Sequence, residues 1–168
     1  MAEHTAGIVV GVDGSQASLA ALRWAVEEAH ALGTSVVAVH AWEPATAGFA
    51  PYAPTSARPT VAEQHERAAE VLASTVRAAL GPRVGPDLRA VVVEGRPAHS
   101  LLRYARGSLL LVLGRRAHGQ WELPAVGAVG RECLRYSTVP VVTVPASGRR
   151  AARLTAVGIT PDARTGAA

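Results

Sequence analysis

Two short stretches carry the residue types best suited to holding a small anionic ligand. One reads Gly114-Arg115-Arg116-Ala117-His118-Gly119 and leads on to Gly127-Ala128-Val129-Gly130. Glycine lets backbone amides come close to an anion. A helix beginning at Gly127 would add unpaired N–H groups and the positive end of its dipole. Two adjacent arginines could supply bidentate phosphate contacts. A phosphate or a nucleotide is the natural occupant of such a stretch, although glycines at 114 and 127 could equally bound a plain surface loop. The other stretch is Asp13-Gly14-Ser15, a turn with a serine placed to cap the helix that follows.

These stretches need a frame to bring them together, and the hydrophobic pattern supplies one. Residues 7–13 form a continuous β-branched apolar run, as expected of a parallel strand covered on both faces. Leu19, Leu22, Ala25, Val26 and Ala29 then recur at helical spacing up to Gly33, a C-cap glycine. A second strand is predicted over 34–41. Residues 43–60 hold four prolines and show no periodicity, which marks a long loop. Helical spacing returns over 61–80 and stops at Gly81-Pro82. Further strands are predicted over 88–94, 108–113 and 140–144, with helices over 97–106 and 127–136 between them. Strands alternating with helices indicate βαβ units and a parallel sheet with helices on both faces. Ligands of such sheets bind beyond the carboxyl ends of the strands, where the strand order reverses. Asp13-Gly14-Ser15, His40-Ala41-Trp42 and Gly114-Arg115-Arg116 all follow strand ends.

Composition narrows the chemistry. With 168 residues, one domain is expected, ordered over 1–146, with a polar, arginine-containing tail over 147–168. Hydrophobic residues make up 49% but aromatics only 4%, so Ala, Val and Leu must build the core. All 17 basic residues are arginine. No lysine is available for a phosphate loop, a Schiff base or a kinase-type Lys–Glu pair. The single Cys133 excludes an intrachain disulfide and a cysteine-based zinc site. The histidines do not fall at metal-ligand spacing, and neither Ser15 nor Ser100 follows a nucleophile-elbow sequence. No catalytic residue and no metal site are therefore assigned. No apolar run approaches the roughly 20 residues that span a bilayer, and no signal peptide is recognisable, so a cytoplasmic location is expected. The arginines are scattered, which favours a solvated surface over a nucleic-acid face.

The segment Gly-Ile-Val-Val-Gly-Val-Asp-Gly-Ser at 7–15 resembles the opening of universal stress proteins, as does the helix with Leu19, Ala20, Leu22, Trp24 and Ala25. Residues 139–144, Val-Pro-Val-Val-Thr-Val, are similar to that family's closing strand. The resemblance implies a Rossmann-like, five-stranded parallel sheet in the order 3-2-1-4-5. It also implies, in members that bind nucleotide, an ATP site between the first and fourth strands. Those members carry Gly-x-x-Gly, nine residues, then Gly-Ser or Gly-Thr. Gly114 and Gly127 match that pattern, but Ala117 and Ala128 stand where it has a glycine and a hydroxyl. A positive φ required at 117 would cost alanine about 1 kcal/mol. A lost hydroxyl–phosphate hydrogen bond would cost about 1.5–3 kcal/mol. Asp13 matches the aspartate placed near adenine and ribose, and it could equally be a turn residue. Ala41 matches a position that meets adenine through its backbone. The implied site is Asp13, Gly14, Ser15 and Ala41 on one side, with Gly114, Arg115, Arg116, Gly127 and Ala128 on the other.

Three readings follow: a stress-responsive regulator that binds ATP, ADP or another adenine nucleotide, a domain of this type that has lost nucleotide and acts through a regulatory protein partner, or a phosphate-transferring enzyme. The missing lysine, acidic metal cluster and nucleophile count against the last and leave at most weak ATP hydrolysis. Residues 140–144 are apolar, uncharged and bracketed by Pro140 and Pro145, so an edge strand there should pair with a second copy in a homodimer. His40 and His118 are secondary candidates near the cleft, and Cys133 is expected to be an inert small hydrophobe. Residues 156–162 faintly echo 9–15, compatible with a truncated second copy or with chance.

Overall fold

A computed structural model describes residues 7–45, 59–82, 85, 87–118 and 123–146. Along the chain come β1 (Ile8–Gly11), α1 (Gln16–Leu32), β2 (Val36–Trp42), α2 (Val61–Leu80) and β3 (Leu88–Glu94). They are followed by α3 (Pro97–Ala105), β4 (Leu110–His118), β5 (Leu123–Ala125), α4 (Ala128–Tyr136) and β6 (Val141–Pro145). The 147–168 tail and the echo at 156–162 lie outside the described residues.

The helix ends follow local chemistry. Ser15 caps α1 by accepting a hydrogen bond from the Ser18 N–H at 3.2 Å, and Gly33 closes it at φ 63°. Thr60 and Glu63 form a reciprocal capping box at the start of α2. Pro97 opens α3. Gly127 precedes α4 and offers no side-chain cap.

Five strands run parallel in the order β3-β2-β1-β4-β6, which is the expected 3-2-1-4-5 when parallel strands alone are counted. In β1, Ile8 pairs with Val36 on one side and with Leu110 on the other. The two strands expected at the centre are therefore neighbours. Side chains alternate across β1. Ile8, Val10 and Val12 enter a core with Leu22 and Ala25 of α1 and Leu72 and Val76 of α2. Val9 enters a second core with Leu101 of α3, Leu111 and Leu113 of β4, and Cys133 of α4. Helices thus cover both faces, and small residues such as Ala21, Ala25 and Ala38 allow the layers to close with few aromatics.

One element departs from expectation. The strand predicted over 108–113 begins at Leu110 and continues to His118, and its last three residues pair antiparallel with β5. Among the described residues the sheet therefore has six strands. Residues 115–118 carry no apolar alternation; Arg115 joins the sheet opposite Pro145 of β6, and residues 116–118 join it because residues 123–125 fold back to pair with them.

Candidate functional site

Strand order reverses at β1, where β2 lies on one side and β4 on the other. Beyond the carboxyl ends of these strands lies an open cavity of about 570 Å³. Asp13, Ser15 and Ala41 border it from the β1 and β2 side. Gly114, Arg116, Gly127 and Ala128 border it from the β4 and α4 side. Seven of the nine residues named from the sequence thus converge on one space. Val39, Pro97, Leu101 and Leu113 give it an apolar floor.

Gly14 and Arg115 do not line the cavity. Gly14 holds φ at 81°, a left-handed conformation that makes the turn after Asp13. Arg115 and Arg116 are adjacent in a strand, so their side chains leave opposite faces and cannot act as a pair on one phosphate. Arg116 reaches the cavity, whereas Arg115 is half-buried elsewhere with its Nε lacking a hydrogen-bond partner.

Asp13 is a turn residue, and its second carboxylate oxygen is turned to Arg116. Its Oδ1 accepts from the Ser15 N–H at 2.9 Å and from the Ser15 hydroxyl at 2.5 Å, which fixes the turn. Its Oδ2 faces Arg116 Nη2 at 3.4 Å across the mouth of the cavity. Burial pushes this carboxyl up. Hydrogen bonds from the Ser15 hydroxyl and N–H, then from Ser18, together with the charge of Arg116, outweigh burial and hold it below the usual aspartate range.

Gly114 has a reason independent of any ligand. A Cβ there would collide with the backbone of Ala17 and Ser18 at the start of α1. The glycine lets helix and strand approach, and this brings Ser15 and Ser18 to the cavity wall. Gly127 differs: a Cβ there would meet nothing within 4 Å. Ala117 sits within β4 opposite Pro124. A strand position requires no positive φ, so the expected backbone penalty for alanine at 117 does not arise.

The sequence reading missed Arg131. It lies in the first turn of α4, borders the cavity, and its Nη1 donates to the Val126 carbonyl at 3.0 Å. Its position four residues after Gly127 was the available signal, since that spacing returns to the same helix face. His40 is not a lining residue; its Nδ1 donates to the Val12 carbonyl at 2.7 Å, which satisfies it and ties β2 to the β1 turn. His118 ends β4. Cys133 is fully buried, and burial, followed by the charge of Glu132, pushes its thiol up to about 11. Among the described residues no group of three or more His, Cys, Asp or Glu could hold a metal ion. No helix among them is long and apolar enough to cross a membrane.

A doubly wound α/β domain whose switch-point cleft joins apolar residues to Asp13, Arg116 and Arg131 is the class that this fold and site define. Residues 6–145 match the model of the universal stress protein family, and the chain belongs to that family. A universal stress protein of Mycobacterium tuberculosis is 31% identical over 137 residues, a match covering 82% of this chain and 44% of that protein. One from Mycolicibacterium smegmatis is 30% identical over 142 residues, covering 82% and 47%. The chain thus spans less than half the length of these curated relatives. Among solved structures, a universal stress protein from Archaeoglobus fulgidus in complex with dAMP superposes with a TM-score of 0.57 at 21% identity. That match covers 84% of this chain and 98% of the other. A universal stress protein in complex with cAMP gives 0.60 at 23% identity, covering 85% and 99%. Likeness at this level establishes the shared fold.

Proposed function

We propose that this protein binds an adenine nucleotide in the cleft and acts as a cytoplasmic, homodimeric regulatory domain rather than as an enzyme. The observation that carries the reading is a single cavity joining an apolar floor to a helix start without a side-chain cap. The floor of Val39, Leu101 and Leu113 suits a base, and Asp13 stands beside it as an acceptor for a ribose hydroxyl or an amino group. The N–H groups at the start of α4, next to Arg116, suit a phosphate. The volume lies in the range of small-molecule sites. Complexes of fold neighbours with dAMP and cAMP support an adenine nucleotide as the ligand class.

ATP and ADP belong to this reading as candidate ligands. Homodimerisation through β6 belongs to it as well. The Leu111 N–H bonds the Pro140 carbonyl, and the Ala146 N–H bonds the Arg115 carbonyl, so residues 140, 142, 144 and 146 face β4. By alternation Val141 and Thr143 point their N–H and C=O groups outward, ready for an antiparallel partner.

Isothermal titration calorimetry with adenosine, AMP, ADP and ATP at millimolar concentrations tests the ligand, alongside mass spectrometry of small molecules carried by the fresh protein. Binding of an adenine nucleotide is expected. The absence of both heat and a carried nucleotide would refute this reading. It would favour a domain that acts through protein contacts alone, for which the Ala128 position without a hydroxyl and the Asp13–Arg116 ion pair already argue.

A further inference from the structure

β4 does not end at the sheet edge. It runs on as one arm of a hairpin in which Arg116 pairs with Ala125, Ala117 with Pro124, and His118 with Leu123. Pro124 has no N–H, so the central pair is the non-hydrogen-bonded one. The two flanking pairs then exchange both of their bonds. The amides of Arg116, His118, Leu123 and Ala125 are committed to the ladder. A chain of phosphates laid along residues 116–118 and 123–125 would find few free donors, and a buried phosphate oxygen without donors is costly.

At α4 the situation is the reverse. Gly127 contributes no side chain to cap the helix, so no cap side chain takes the first-turn N–H groups, and residues 126–131 border the cavity. Arg131 stands on that same turn. The hydrogen bond from its Nη1 to the Val126 carbonyl holds the guanidinium beside the helix start, and its other donors are free to turn to a ligand. Among the described residues Arg131 has no carboxylate within ion-pair distance, whereas Arg116 is paired with Asp13. Among the described residues the cleft therefore offers one phosphate position with one uncompensated cation. A second or third phosphate would have to compete with the Asp13 carboxylate for Arg116.

We propose that the cleft selects a nucleoside monophosphate over the triphosphate, and that Arg131 is the side chain that binds its phosphate and sets this specificity. The proposal rests on the nucleotide reading above. It is tested by calorimetry of the full chain and its Arg131→Gln and Arg131→Lys variants with adenosine, AMP and ATP. The unmodified chain should bind AMP about tenfold or more tightly than ATP. Arg131→Gln should weaken AMP by about ten- to a hundredfold, leave adenosine unchanged, and melt at the same temperature, since the side chain is exposed. Arg131→Lys should recover part of the loss. ATP binding as tightly as AMP would overturn the selectivity, and AMP binding unchanged in Arg131→Gln would overturn the role of Arg131. Either result leaves the nucleotide reading standing. Absence of binding by all three ligands would remove that reading and this proposal with it.

Discussion

Gly127→Asp should separate ligand binding from folding. Gly127 has φ −61° and ψ 173°, an extended conformation open to any residue, and a Cβ there meets nothing within 4 Å. Aspartate is among the best N-cap residues, better than glycine by a few tenths of a kcal/mol. A negative charge at a helix start adds about 0.3–1 kcal/mol. The variant should therefore fold at least as stably as the parent. Its carboxylate would occupy the N–H groups offered to the phosphate, removing one or two charge-assisted hydrogen bonds worth about 1.5–3 kcal/mol each. Two negative charges about 4 Å apart near a protein surface repel by about 4 kcal/mol in addition. Counting only one lost bond and half of that repulsion gives about 3.5–5 kcal/mol, a loss of two to four orders of magnitude in affinity. Thermal unfolding with and without AMP reads both effects. At a hundred times its dissociation constant, a ligand stabilises the parent by about 2.7 kcal/mol. For a chain of this size that is a rise of roughly 5–11 °C. Gly127→Asp should match or exceed the parent melting point without ligand and show no rise with it. Gly127→Ala, which adds no charge, should keep most of the rise. An equal ligand-induced rise in Gly127→Asp would refute the placement of the phosphate at α4.

Gly114→Ala should destabilise the fold by about 1–3 kcal/mol in chemical denaturation with no ligand present, because its Cβ would press on the α1 backbone at Ala17 and Ser18; unchanged stability would show that α1 can move aside. The Asp13 carboxyl is held low in the folded state, so its contribution to stability is present above the ordinary aspartate value of about 3.9 and is lost as pH falls below it. Asp13→Asn should flatten that part of the acid limb in pH-dependent unfolding, and an identical acid limb would contradict the hydrogen bonds from Ser15. Native Cys133 should resist a thiol reagent at pH 8 and react only after unfolding, since it is buried and its thiol stands at about 11; rapid labelling of the folded protein would disprove this. For the proposed dimer, Thr143→Pro is the cleanest perturbation. It removes one outward N–H while sparing the bonds to β4, and should give folded monomers by light scattering. Lysine at Val142 or Val144 would instead disturb the α1-facing core against which both pack. An unchanged assembly state in Thr143→Pro would count against the edge-strand contact.

The sequence by itself determined the elements and their layering. The continuous β-branched run of β1 marks a strand buried on both faces, Ser15 and Gly33 mark the ends of α1 through bonds made within a few residues, and Pro97 marks the start of α3. Strand alternation with helices then requires a switch point, which places Asp13, Ser15, Gly114 and Arg116 at strand ends, while the resemblance to universal stress proteins added Ala41 and Ala128; with Gly127, all of them border one cavity. Tertiary structure decided what depends on a partner distant in the chain. Residues 116–118 join the sheet because residues 123–125 fold back on them, Arg115 joins it opposite Pro145 of β6, and strand alternation sends Arg115 and Arg116 to opposite faces. The need for glycine at 114 lies in the backbone of α1, almost a hundred residues earlier, and no local pattern carries it. Arg131 joined the site because α4 docks with its first turn over the strand ends, a placement fixed by the packing of Cys133 into the second core. Periodicity shows which face of a helix is buried, but only the packed layers show which of its polar residues stand beside the cavity.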